Sequence, residues 1–135
     1  MNNEGALIAF TLISQMIIGA TLVYAMIFLL GTDDVAQFSS GFSLKTPELL
    51  LLTGMLIATM ISFLHLGKPS NAVNALNNLR TSWISREILS VALFSICLLA
   101  LFVVRWMGAG RTVLLVSILL AVLSGLLLLI SMIKL

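Results

Sequence analysis

Charge is scarce in this sequence: five acidic and seven basic residues in 135, 9 % in all, against 61 % hydrophobic residues. A water-soluble domain needs a polar shell and runs near a quarter charged. With a mean hydropathy of +1.21, most of this surface is unsuited to water. The few charges are bunched into short stretches, and a net charge of +2 is too small and scattered to recruit nucleic acid. Cysteine is nearly absent as well. Cys97 alone excludes an internal disulfide and any thiolate-held metal or iron–sulfur cluster within the chain. Deep inside an apolar run, it reads as a small helix- or lipid-facing residue. His65 is the only histidine, which excludes a bis-histidine haem. The seven methionines leave only His–Met ligation open, and the expectation is no haem and no metal within this chain.

What the sequence does have is four apolar runs, from about Gly5 to Leu30, Pro47 to Leu66, Ile88 to Trp106 and Thr112 to Ile133. Each is near or above the ~20 residues that cross a ~30 Å hydrocarbon core. The expected fold is therefore all-α: one membrane domain, residues 1–135, with four transmembrane helices in antiparallel up-down order. The opening run makes a poor signal peptide, because Met1 to Ala6 has no Lys or Arg, carries Glu4, and leads into too long an apolar stretch. It is expected to stay in the mature protein.

The connections differ in character. Gly31 to Thr46 is polar, and Pro47 suits the first turn of the helix after it. Arg105 to Arg111, with Gly108 and Gly110, predicts a tight turn and an antiparallel hairpin of helices three and four. Between helices two and three, Gly67 can end one helix and Pro69 can begin another. Ala72, Val73, Leu76 and Leu79 then recur at helical spacing, opposite Asn71, Asn74, Asn77 and Asn78. That pattern predicts a short amphipathic helix over about 69–79, lying in the bilayer interface with Trp83 as an anchor. Basic residues do not orient the chain: Lys45, Arg105 and Arg111 fall on one side, Lys68, Arg80, Arg86 and Lys134 on the other.

Few residues here could carry chemistry. His65 ends helix two, where an imidazole can simply meet the helix dipole and the headgroup region. Glu87 begins helix three just after Ser85, a good N-cap residue, and an acid in a first turn is favoured by the same dipole. Topology nevertheless puts His65 and Glu87 at one face of the membrane. An imidazole and a carboxylate at one depth there suit a ligand that gives up protons as it reacts. Gln15, next to Ser14 in helix one, is expected to be buried and to make an interhelical hydrogen bond; Gly54 and Gly125 are expected to mark close helix contacts.

The run His65-Leu66-Gly67-Lys68-Pro69-Ser70-Asn71-Ala72-Val73-Asn74-Ala75-Leu76-Asn77, continuing to Ser82-Trp83-Ile84-Ser85-Arg86-Glu87-Ile88, resembles the membrane-anchor subunit of the dimethyl sulfoxide (DMSO) reductase family. That family reads H-L-G-x-P, A-x-N-x-L-N and S-x-x-S-x-E in the same register. Phe10-Thr11 with Gln15 and Gly19 is similar to its opening helix, so the match covers roughly Phe10 to Ile88. The resemblance implies a multi-pass subunit of the bacterial inner membrane that serves anaerobic respiration. It would bind menaquinol as substrate at the outer face and pass electrons to an iron–sulfur subunit, which feeds a molybdopterin catalytic subunit. The subunit would be non-catalytic by itself or act as the quinol-oxidising part of the complex. On the same resemblance, His65 and Glu87 are the quinol-binding, proton-accepting residues. Gly67, Pro69, Asn74, Asn77, Ser85 and Arg86 form the supporting loop, and that loop faces the periplasm. Family members have eight helices, so this chain corresponds to the N-terminal half; and where the family often has a basic residue, this chain has Asn71. Two alternatives stand beside this reading. One is a small four-helix proton-coupled transporter, disfavoured because Glu4, Glu48 and Glu87 lie near helix ends; the other is a structural anchor without quinol binding.

Overall fold

A computed structural model describes residues 3–30, 47–66 and 83–133, with the backbone alone for 3–4, 63–66 and 83–84. Among the described residues there are four α-helices and no strand: α1 (Asn3–Leu29), α2 (Pro47–Leu66), α3 (Trp83–Trp106) and α4 (Arg111–Ile133). Three stretches, Gly5–Leu29, Ser85–Trp106 and Arg111–Ile133, are each long and apolar enough to cross a membrane. The described apolar part of α2, Pro47–Ser62, is shorter. All 20 residues of α2 together span about 30 Å at 1.5 Å per residue. The four-helix, all-α architecture expected from the sequence is thus present. The interfacial helix expected over 69–79 lies outside the described residues.

The helix ends follow from local chemistry. Pro47 opens α2, where its missing N–H would have had no partner anyway. At the other end of the bundle α3 begins at Trp83, ahead of the expected start near Ile88, so Ser85 lies inside the helix and is not its cap. The α3–α4 turn is closed by backbone bonds. Gly108 N–H donates to Arg105 C=O at 3.1 Å and Ala109 N–H to Val104 C=O at 3.2 Å, the pair that defines a Schellman motif. Gly108 sits at φ 65°, a left-handed conformation that a Cβ would oppose. Gly110 then receives the first bonds of α4, from Val113 N–H at 3.0 Å and Leu114 N–H at 3.2 Å.

The helices close into a ring in which α1 packs on α2, α2 on α3, α3 on α4, and α4 back on α1. All four contribute to one apolar core, with Phe10 and Ile18 from α1, Met55 from α2, Phe94 and Leu98 from α3, and Leu128 from α4. Burial from water drives little of this, since lipid tails are as apolar as leucine. Close packing of small residues carries more. The inward face of α4 shows how, running Leu114, Ser117, Ile118, Ala121, Ser124, Gly125, Leu128, Ser131. Its three serines donate to their own helix, at the carbonyls of Leu114, Ala121 and Leu128, over 2.7–2.9 Å. They are therefore small and already satisfied, and neighbouring helices can come close. A Cβ on Gly125 would stand 3.1 Å from the Phe94 ring and 3.4 Å from Ile18; one on Gly54 would stand 3.2 Å from Ile17. Both glycines mark close contacts, as expected.

A first prediction follows. Gly125→Ala gains helix propensity, about 1 kcal/mol, while pressing on Phe94, so its stability should stay within about 1 kcal/mol of the native protein. Gly125→Leu has no room between α1 and α3 and should lose about 1–3 kcal/mol. Thermal unfolding of the purified protein in detergent checks both; a leucine variant as stable as native would mean that α4 does not seat on Phe94.

Candidate functional site

Two polar layers close the ends of the bundle. At one end are the C-terminus of α2 and the N-terminal part of α3. His65 is the second-last residue of α2, and Glu87 is the fifth residue of α3. Because α2 packs on α3 and runs against it, both stand at this end. Glu87 and Arg86 are half-buried, and Ser85, 1 % exposed, faces the interior. The Ser90 hydroxyl donates to Arg86 C=O at 2.7 Å, which holds it within α3. The side chain of His65 lies outside the described residues, as do Gly67, Pro69, Asn74 and Asn77.

The other end carries a cluster that sequence reasoning missed. Tyr24 of α1 donates its hydroxyl to Glu48 Oε1, and Arg105 Nε of α3 stands 3.7 Å from the same oxygen. Glu48 is only 1 % exposed, and its Oε2 has no hydrogen-bond partner. The carboxylate occupies the first turn of α2, where the helix dipole favours its charge. A buried carboxylate is costly unless paired and hydrogen-bonded, so Tyr24 and Arg105 are what make this position tenable. The same contacts fix the antiparallel sense of the helices: the start of α2 meets the C-terminal parts of α1 and α3. The start of α4 joins them, with the Arg111 guanidinium 6.0 Å from the centroid of the Phe28 ring, a cation–π contact. Trp106, 6.1 Å from Phe102 between ring centroids, projects outward at this end, where membrane-interface tryptophans sit.

A signal for this cluster was present in the sequence. Tyr24 is the only tyrosine, Glu48 directly follows Pro47, and Arg105 ends an apolar run, so antiparallel neighbours had to bring them to one depth. The same topological rule places His65 and Glu87 together at the opposite end. From Glu48 to His65 is seventeen residues of α2, about 26 Å. The two polar layers therefore stand apart by nearly the thickness of a hydrocarbon core.

One expectation is corrected here. Gln15 is exposed on the outside of α1, while its neighbour Ser14 is fully buried, its Oγ without a hydrogen-bond partner. A one-residue step turns the helix by about 100°, and Ser14 takes the inward position because a small side chain fits between close helices.

Residues 1–135, the whole chain, match the family model described as DMSO reductase anchor subunit (DmsC). No curated protein and no solved structure matches the chain.

Proposed function

The chain belongs to the DMSO reductase anchor subunit family, and from that membership we propose that it oxidises menaquinol at the His65–Glu87 end of the bundle. As a member it is the membrane anchor of a DMSO reductase-like complex and associates with that complex's catalytic subunits. The observation that carries the proposal is placement: a histidine and a glutamate at the same end of two packed, antiparallel helices.

Quinol oxidation releases two electrons and two protons and leaves the quinone. His65 accepts the proton of one hydroxyl, and the proton of the other passes to water at the outer face. Glu87, half-buried at the start of α3, orients the imidazole or carries the proton outward. The electrons go to a partner iron–sulfur subunit and on to a molybdopterin subunit that reduces the terminal oxide. Gly67, Pro69, Asn74, Asn77, Ser85 and Arg86 form the supporting segment, facing the periplasm of a bacterial inner membrane. The transporter alternative asks for an ionisable group halfway across the bundle. Among the described residues, Glu48 and Arg105 lie at one end and Glu87 at the other.

The test uses the assembled complex in its own membrane. Addition of a menaquinol analogue should reduce the partner's iron–sulfur clusters, followed by electron paramagnetic resonance. Membranes that carry the catalytic subunits without this chain should show no such reduction. Equal reduction with and without the chain would refute quinol oxidation here.

A further inference from the structure

The Tyr24–Glu48–Arg105 cluster is poorly built for stability. Both partners address Glu48 Oε1, while Oε2, also buried, has no hydrogen-bond partner among the described residues. A carboxylate held that way regains little of what its desolvation costs. Yet three side chains from three separate helices converge on this one point. Those helices close it off by themselves, leaving Glu48 1 % exposed, so nothing outside the bundle is needed to bury it.

Helix α2 shows what such a cluster does. Its inward stripe is Glu48, Leu51, Leu52, Met55 and Ala58, while Leu50, Leu56, Ile57 and Met60 look the other way. Leucine stands on both sides, so lipid or any apolar neighbour accepts either one. Small residues mark the packed side at Gly54, against Ile17, and at Ala58. Along most of its length, turning α2 about its axis would exchange one large apolar side chain for another. At Glu48 it would not: the carboxylate would leave Tyr24 and Arg105 and stand unpaired in apolar surroundings. We propose that the cluster is a rotational lock on α2, adding little net stability but excluding packings in which α2 presents another side to α1 and α3. Tyr24 and Arg105 stand on the two helices that flank α2, and one carboxylate oxygen meets both of them at a single rotation only. A polar contact of this kind selects one arrangement among near-equals, as a lone polar residue does in a coiled-coil seam.

The experiment uses the full chain assembled with its catalytic subunits in the membrane, in a Cys97→Ser background, with an added oxidant to form disulfides. Ile17→Cys on α1 is combined with one of two changes on α2. Gly54→Cys faces position 17 in the native packing, and truncating Ile17 gives the new side chain room. Leu56→Cys lies two residues further on and is turned about 200° away. With the cluster intact, the first pairing should cross-link and the second should not. In the triple variant Tyr24→Phe, Glu48→Leu, Arg105→Met the chain should assemble in native amount. Its second pairing should then cross-link about ten-fold more than with the cluster intact, a modest share of what an unpaired buried charge costs. A second pairing as silent in the triple variant as in the native background would overturn the proposal, as would strong cross-linking in both pairings with the cluster intact, since rotation would then not depend on the cluster. Failure of the triple variant to assemble would overturn it too, because the cluster would be holding the bundle together rather than selecting its packing.

Discussion

His65→Ala and Glu87→Ala should each leave the complex assembled but lower its quinol-dependent turnover about 100-fold, the lower end of what a positioned proton acceptor contributes. Both residues stand at one end of helices that pack together, at the edge of the hydrocarbon. An imidazole and a carboxylate are costly to hold there unless they meet each other or a polar ligand. Activity driven by an artificial donor that bypasses the anchor should persist in both variants. The double variant should lose little more than either single one, because residues that serve one proton transfer act as a unit. Turnover of quinol is measured in the assembled complex and divided by the bypass activity. If quinol turnover is unchanged in both single variants, these are helix-end residues and the site lies elsewhere. Loss of assembled complex, with normal turnover in what remains, would give them a structural role.

Tyr24→Phe should destabilise the protein by about 1–3 kcal/mol, because it strips a buried carboxylate of its hydrogen-bond donor. Arg105→Met removes the charge partner at 3.7 Å. That side chain is 37 % exposed and partly screened by solvent, so its loss should cost less than the ~3–5 kcal/mol typical of a fully buried pair. The informative variant is the triple Tyr24→Phe, Glu48→Leu, Arg105→Met. With the charges gone and the volume kept, nothing polar is left to desolvate, and stability should return close to native. Thermal unfolding in detergent reads all three. If the single losses simply add in the triple variant, the cluster is not one interacting unit. Since it lies about 26 Å along α2 from His65, none of these changes should alter quinol turnover per assembled complex.

The sequence-level reading was most secure where one physical constraint acts on a whole segment. A hydrocarbon core about 30 Å thick demands about 20 apolar residues per crossing, and each of the four runs meets or approaches that length. The turn between α3 and α4 was legible for a similar reason, since Gly108 and Gly110 answer demands of the local backbone. Facing was not legible. Membrane helices are apolar nearly all round, so no polar stripe marks the outside, and the inward position expected for Gln15 belongs to its neighbour Ser14. Glu48, in the first turn of α2, carries no mark of burial in its own segment, because an acid there is also favoured at a solvated helix end. Its burial depends on Tyr24 and Arg105 arriving from helices far away in the chain.

By itself, then, the sequence determined the four long apolar helices found among the described residues, the hairpin of the last two, and the family, because each is written in contiguous stretches: apolar run length, glycine spacing, the H-L-G-x-P to S-x-x-S-x-E motif. The same apolar lengths also place His65 and Glu87 at a common face. Tertiary structure alone decided which side of each helix looks inward, how closely α4 seats on Phe94 and Ile18, and that one end is held by a buried carboxylate between three helices. The reason is that these depend on rotation about the helix axis. In lipid that angle is set by the fit of small residues between neighbours and by polar groups finding partners, and both are properties of helix pairs rather than of any one segment.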